Sequence, residues 1–262
     1  MPEGDTIHRA AARLHAALAG KTLNRLEARR LAPDALPPPG VEVSEVEARG
    51  KHLLVRFADG RTLHTHMRMS GSWHLYRPGE RWMRPASTAR VVLEADHAIA
   101  VCFGAPVVEV VRDDSAIATL GPDLTAADPD LEDVLRRVRA GDPAREIGEV
   151  LLDQRIGAGI GNVYKSEVLF ARRIDPFGPV GTLSDSELLG LYATAARMLR
   201  HNLKTVRRTT APGGLAVYRK AGRACPRCGS RILRAKQGRE LPRSTYWCAT
   251  CQRPAPAGGA GR

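Results

Sequence analysis

The sequence predicts an α+β chain of more than one domain, in which a helix and a β-sandwich precede a helical region that ends in a four-cysteine segment. Three observations predict this. Ile7, Ala11, Leu14 and Leu18 recur at helical spacing near the start, and short alternating runs then replace that period from about Thr22 to Arg112. Helical spacing returns after Asp130, and four of the five cysteines gather near the other end of the chain. With 262 residues, of which 43% are hydrophobic, the chain can bury two cores of modest size.

Taken in order, residues 3 to about 19 read as the first helix. The runs Val41 to Val46 and His52 to Phe57 alternate as half-buried strands do, and Asp59-Gly60 turns the second into a strand over Thr62 to Met67. Pro33 to Gly40 is a proline-rich loop. Evenly spaced short strands suggest a β-sandwich or barrel, giving a first domain over residues 1–115. A linker over residues 116–130 carries the breakers Gly121-Pro122 and Asp128-Pro129. Helices are expected over Leu131 to Arg139, Pro143 to Leu152, Asn162 to Arg172 after the turn Gly157 to Gly161, and Ser184 to about Val206. Ser184 and Glu187 form a capping-box pattern at the start of the last. Residues 131–218 make a second domain, 219–253 a cysteine-bearing third, and the Pro-, Ala- and Gly-rich residues 254–262 a disordered tail.

The charge is lopsided. The net charge is +12, and thirteen basic residues against one acid, Glu240, lie between His201 and Arg253. Such a concentration favours polyanions, because each cation set against a phosphate releases counterions. A membrane surface would attract the same charge, but no bulky amphipathic face accompanies it and no run of eighteen apolar residues exists. Nucleic acid is the expected partner. The acidic start Met1-Pro2-Glu3-Gly4-Asp5 lacks a signal-peptide core, so a cytoplasmic, nucleoid-associated location is expected.

Cys225-Pro226-Arg227-Cys228 and Cys248-Ala249-Thr250-Cys251 are two C-x-x-C knuckles nineteen residues apart. Paired knuckles in a basic, apolar-poor segment suit one structural Zn2+ ion, held by Cys225, Cys228, Cys248 and Cys251. Four thiolates close a tetrahedron, and the metal supplies folding free energy that the segment cannot find in a core. Cys102 stands apart in an apolar run.

Removal of Met1 would leave Pro2 with a secondary amine, able to attack an electrophilic sugar carbon and form an iminium ion. Glu3 beside it could move protons. A proline in second place is also an ordinary flexible start.

Several motifs resolve that ambiguity together. Pro2-Glu3-Gly4, Arg49-Gly50-Lys51-His52-Leu53-Leu54, and His66-Met67-Arg68-Met69-Ser70-Gly71 resemble the formamidopyrimidine-DNA glycosylase/endonuclease VIII family. So do Leu152-Asp153-Gln154, Gly159-Ile160-Gly161-Asn162-Val163-Tyr164, and the run from Arg243 to Gln252. They occur in order from Pro2 to Gln252, nearly the whole chain. The resemblance implies an N-terminal helix plus β-sandwich, then a helix-two-turns-helix domain with a C-terminal zinc β-hairpin finger. It implies a monomeric base-excision-repair glycosylase and AP lyase acting on damaged DNA, whether duplex, bubble or single-stranded. Pro2 would attack C1′, Glu3 would transfer protons, and Lys51 would bind phosphate and favour a low proline pKa. Met69 would enter the gap left by a flipped nucleotide. Asn162 at a helix start, Lys165 and Arg243 would hold phosphates.

Three departures bear on the substrate. Where the formamidopyrimidine enzymes carry an Arg-x-Phe pair, this chain reads Val107-Val108-Glu109, which lacks a cationic and an aromatic wedge. Only sixteen residues separate Arg208 from Cys225, too few for the loop that covers a flipped oxidised purine. Asp5-Thr6 replaces a second acidic position of that branch. The endonuclease VIII branch and oxidised pyrimidines are therefore expected. The alternatives are an oxidised-purine glycosylase and a non-catalytic damaged-DNA-binding protein.

Overall fold

A computed structural model describes residues 2–239 and 242–253. The expected tail (254–262), Met1 and Glu240 lie outside the described residues. The chain divides into two compact units, Met1–Thr119 and Leu120–Arg262, and no helix of the described residues is long and apolar enough to cross a membrane.

The first unit opens with α1 (Gly4–Leu18), whose buried face is Ile7, Ala11, Leu14 and Leu18, the set that the spacing selected. The strands follow as β1 (Lys21–Thr22), β2 (Arg25–Ala28), β3 (Glu42–Arg49), β4 (His52–Phe57), β5 (Thr62–His66), β6 (Ser72–Tyr76), β7 (Ala89–Ala95), β8 (Ala98–Phe103) and β9 (Val107–Val111). They form two antiparallel sheets, ordered β1-β3-β4-β5-β9 and β2-β7-β8-β6. Their inner faces share one core. Val46, Leu53, Val55 and Leu63 from the first sheet pack with Val91, Leu93, Ala100 and Cys102 from the second, and α1 adds Ile7, Leu14 and Leu18. Trp73 crosses the layers, its indole N–H donating to Thr65 Oγ1 at 3.0 Å. Burial pushes the Cys102 thiol up to about 12, as expected of an inert core thiol.

The second unit contains α2 (Leu131–Arg139), α3 (Ile147–Val150), α4 (Asn162–Arg172) and α5 (Asp185–His201), then the hairpin β10 (Leu233–Gln237) and β11 (Arg243–Trp247). Its core joins Leu124, Val134, Ile147, Tyr164, Val168, Leu188 and Leu191. Leu124 belongs to the expected linker. From Leu120 onward that segment is fastened to the loop between α3 and α4, Gly121 N–H donating to Gln154 O (2.9 Å) and Leu124 N–H to Ala158 O (3.1 Å).

Two expected helices change length. Instead of Pro143 to Leu152, only Ile147–Val150 is helical. The amides of Ile147 and Gly148 donate out of the helix to Gly178 O and Pro176 O, both at 3.0 Å, so Glu146 stays extended. The last helix stops at His201 rather than near Val206. Asn202, fully buried, bonds Met198 O and Thr209 O through Nδ2 and accepts the Thr209 amide on Oδ1, each at 2.8 Å. This pins a reversal of the chain. The Ser184–Glu187 capping box forms as read.

Candidate functional site

Pro2 and Glu3 sit at the N-terminal end of α1. Glu3 is extended and fully buried, and its carbonyl accepts the amides of Thr6 (2.9 Å) and Ile7 (3.1 Å). Helix formation thus begins two residues behind the proline. Lys51 occupies the turn between β3 and β4 and is half-buried.

Met69 stands at the apex of the turn after β5, 64% exposed, and is therefore no part of the strand core. The turn is held from several sides. Arg68 adopts the left-handed region (φ 43°), uncommon for a residue with a side chain, and its amide donates to His66 Nδ1 at 3.1 Å. The amide of Gly71 donates to Met67 O (2.8 Å), where an added Cβ would come within 2.7 Å of the Met67 backbone. Ser70 Oγ donates to Gly104 O (3.0 Å), and Arg84 reaches Ser70 O (3.1 Å).

The outer face of the first sheet carries a row that sequence reading missed. Strand register sets His52 opposite His66, Leu54 opposite His64, and His64 opposite Glu109. His64 Nδ1 lies 2.7 Å from Glu109 Oε1, and His64 Nε2 lies 2.8 Å from His52 Nδ1. The His52 ring stacks on His64 and meets His66 edge-on at 4.7 Å. Burial, reinforced by His66, His64 and Lys51, holds the His52 imidazole down to about 3. Burial, then Lys51, His64 and Arg68, holds His66 down to about 4. The signal was in the sequence as a period-two His64-x-His66 run, visible only once β4 and β9 are aligned with it. Glu109 is bound by His64.

In the second unit, Asn162 begins α4 behind the extended Gly161, and its Nδ2 donates to Ser244 O at 2.6 Å. The helix start is thereby strapped to β11, one residue from Arg243. Gln154 shapes the preceding turn, donating to Leu152 O and Ile160 O and accepting the Gly159 amide. Arg243 is half-exposed at the first position of β11.

Lys165 corrects an expectation. It is fully buried, and its ammonium donates to Thr245 Oγ1 (2.7 Å) and Gln237 Oε1 (3.3 Å). A phosphate contact needs an ammonium that solvent can reach; this one is enclosed between α4 and the hairpin. Gln237, itself buried, also donates to Glu146 Oε2 and Pro176 O (2.8 Å each). Gly148 leaves the space for it, since a Cβ there would lie 2.4 Å from Gln237 Oε1.

Sequence reading also missed Glu167. Its buried carboxylate accepts the amides of Ala216, Val217 and Tyr218 at 2.7, 2.8 and 2.7 Å, and the Thr210 hydroxyl. The short segment after Arg208 is gathered onto that carboxylate, and Tyr218 then meets Tyr246 of β11 at 5.1 Å.

The four Sγ atoms of Cys225, Cys228, Cys248 and Cys251 all lie within 4.8 Å of one another. Cys225 and Cys251 are 3.9 Å apart, and Cys228 and Cys248 3.5 Å. A tetrahedron with Zn–S bonds of ~2.3 Å has edges of ~3.8 Å, so these residues fit one structural zinc ion and fill its coordination.

Comparisons agree with this architecture. Residues 1–107 match the formamidopyrimidine-DNA glycosylase N-terminal domain, residues 120–212 the formamidopyrimidine-DNA glycosylase H2TH domain, and residues 222–254 the zinc finger found in FPG and IleRS. The chain belongs to the formamidopyrimidine-DNA glycosylase/endonuclease VIII family. Among its relatives, it is 46% identical over 270 residues to the probable endonuclease 8 2 of Streptomyces coelicolor, covering 99% of this chain and 97% of that protein. It is 40% identical to the DNA-(apurinic or apyrimidinic site) lyase Nei2 of Mycolicibacterium smegmatis, over 96% of this chain and 99% of the other. The fold resembles that of the Lactococcus lactis formamidopyrimidine-DNA glycosylase crystallised with DNA containing an AP site (TM-score 0.80, 22% identity, 96% of this chain and 100% of that one).

Proposed function

We propose that this protein is a bifunctional DNA glycosylase and AP lyase of base-excision repair, with Pro2 as its nucleophile. One observation carries the reading: Pro2 heads a helix whose N-cap residue is the fully buried Glu3, an acid placed directly beside a potential amine.

In the reaction, the Pro2 nitrogen bonds to C1′ while the bond to the damaged base breaks and the base leaves with the electron pair. Glu3 protonates the opening sugar at O4′ and receives the proton lost by nitrogen as the iminium forms. The iminium acidifies C2′. Loss of that proton sends electrons toward C3′ and expels the 3′ phosphate; a second elimination expels the 5′ phosphate. Lys51 neutralises phosphate and, as a nearby cation, favours the unprotonated amine. Met69 fills the gap left by the flipped nucleotide. Arg243, with Asn162 at the start of α4, grips the backbone. The zinc ion serves the hairpin that presents Arg243 and takes no part in bond-making.

Oxidised pyrimidines are the substrate class favoured by the short Glu167-bound segment and by the endonuclease 8 names of the relatives. The wedge-free Val107-Val108-Glu109 strand favours bubbles and single strands alongside duplex. The protein acts as a monomer on cytoplasmic, nucleoid DNA. The test is borohydride trapping on an oligonucleotide with an abasic site, using protein whose Met1 removal has been checked by mass. A reduced DNA adduct that vanishes in Pro2→Thr supports the mechanism. Tight binding with no adduct leaves a non-catalytic DNA-binding protein.

A further inference from the structure

The row Glu109–His64–His52 is a chain of hydrogen bonds whose direction depends on the tautomers of its histidines. A carboxylate only accepts, so His64 carries its proton on Nδ1, facing Glu109 at 2.7 Å. In the tautomer where His64 Nε2 accepts, His52 donates to it from Nδ1 at 2.8 Å. This leaves the Nε2 of His52 bare. His66 is fixed independently: the Arg68 amide donates to its Nδ1, so its proton sits on Nε2. The β4 end of the row therefore offers one basic nitrogen and one donor, next to Lys51 in sequence. The other end is the Glu109 carboxylate, whose side chain is 47% exposed while that of His64 is 4% exposed.

We propose that Glu109, His64 and His52 form a proton relay that drains the elimination steps of the lyase reaction. The inference rests on the lyase reading given above. The C2′–H bond breaks and its electrons enter the enamine, while the proton passes to His52 Nε2, directly or through water. The proton on His52 Nδ1 moves to His64 Nε2. Positive charge then lodges on His64 against the Glu109 carboxylate rather than on His52 beside Lys51. Return of the His64 Nε2 proton to His52 Nδ1, as the His52 Nε2 proton leaves to water, resets the row. His64 and Glu109 are positioning residues; they act through His52, much as a buried carboxylate orients a catalytic imidazole. The depressed proton affinities of His52 and His66 agree with this arrangement, since the β4 end of the row stays neutral in its resting state. The charges bearing on it are Lys51 on its own turn, Arg49 opposite on β3 (paired with Glu47), His64, His66 and Arg68 from β5 and its turn, and Glu109 on β9.

The bland alternative is a polar network that merely holds the sheet face, and the full-length protein separates the two. Single-turnover cleavage of an abasic oligonucleotide is followed from about pH 5 to about pH 9 beside borohydride trapping. For Glu109→Gln and His64→Phe, we expect cleavage to slow by about 10- to 100-fold with the yield of trapped imine unchanged. Glu109→Asp should recover part of the rate. Wild-type cleavage in both variants, or cleavage and trapping that fall together with Tm, overturns the relay. Failure of the wild type to trap at all is failure of the lyase reading instead. Histidine 15N spectra decide the row even then, because a neutral His52 protonated on Nε2 would refute it.

Discussion

The Glu167 carboxylate, buried in α4, accepts the backbone amide of Val217 at 2.8 Å across fifty residues of sequence. Ala216 and Tyr218 donate to the same group. One helical side chain thereby determines the path of the segment between the last helix and the zinc hairpin. Glu167→Ala strands three amides and a hydroxyl in a buried site. We expect a loss of about 3 kcal/mol, hydrogen bonds to a charged acceptor being the stronger kind, read as a drop of several degrees in Tm. Hydrogen exchange should quicken at residues 216–218 before it changes in the sandwich.

Metal removal should act locally first. Chelation, or Cys248→Ser, is expected to unfold the β10–β11 hairpin and abolish tight DNA binding, while the helix and sheets of the first unit persist. The metal content of the purified protein, set beside its circular dichroism, checks this; one zinc per chain is expected.

Arg243 and Lys165 should part company in a salt titration. Arg243→Ala is expected to weaken DNA binding about tenfold and to reduce the slope of log K against log salt by about one. Lys165→Met should leave that slope unchanged, because its ammonium is enclosed by Thr245 and Gln237. An equal fall in slope for both would return Lys165 to the phosphate-binding set.

Acid should destabilise the first unit through its histidines. Folding depresses His52 to about 3 and His66 to about 4 from an ordinary value of 6.5, so the unfolded chain binds more protons below that value. Their contribution is complete above about pH 6.5 and is lost as pH falls through the window between 6.5 and the depressed values. Tm measured down this range should decline, and His52→Gln should decline less steeply. A slope as steep as wild type would remove His52 from the account.

Much of this was legible in the sequence because periodicity and spacing are local. The buried stripe of α1, strand β4, helices α2 and α4, the Ser184 capping box and the cysteine knuckles all follow from neighbours within a few residues. What stayed hidden depends on register between distant segments. Nothing near Glu109 announces His64; only the β5–β9 pairing joins them. Lys165 looked like one more cation on a basic protein, and its burial is decided by Thr245 and Gln237 far downstream. The stretch after Pro143 looked helical, yet carbonyls at Pro176 and Gly178 claimed its amides. The exposure of Met69 follows from the turn after β5, which sequence alone does not display.

Gln237 has a consequence for engineering. Its single amide group touches β11, α4, the chain ahead of α3 and the loop at Pro176, and it occupies room kept open by Gly148. The zinc finger is therefore not a portable cassette. A chimera that grafts the finger onto a foreign helical partner would leave this amide and the Lys165 ammonium without counterparts, so the exchangeable piece is the finger together with the helices that receive it.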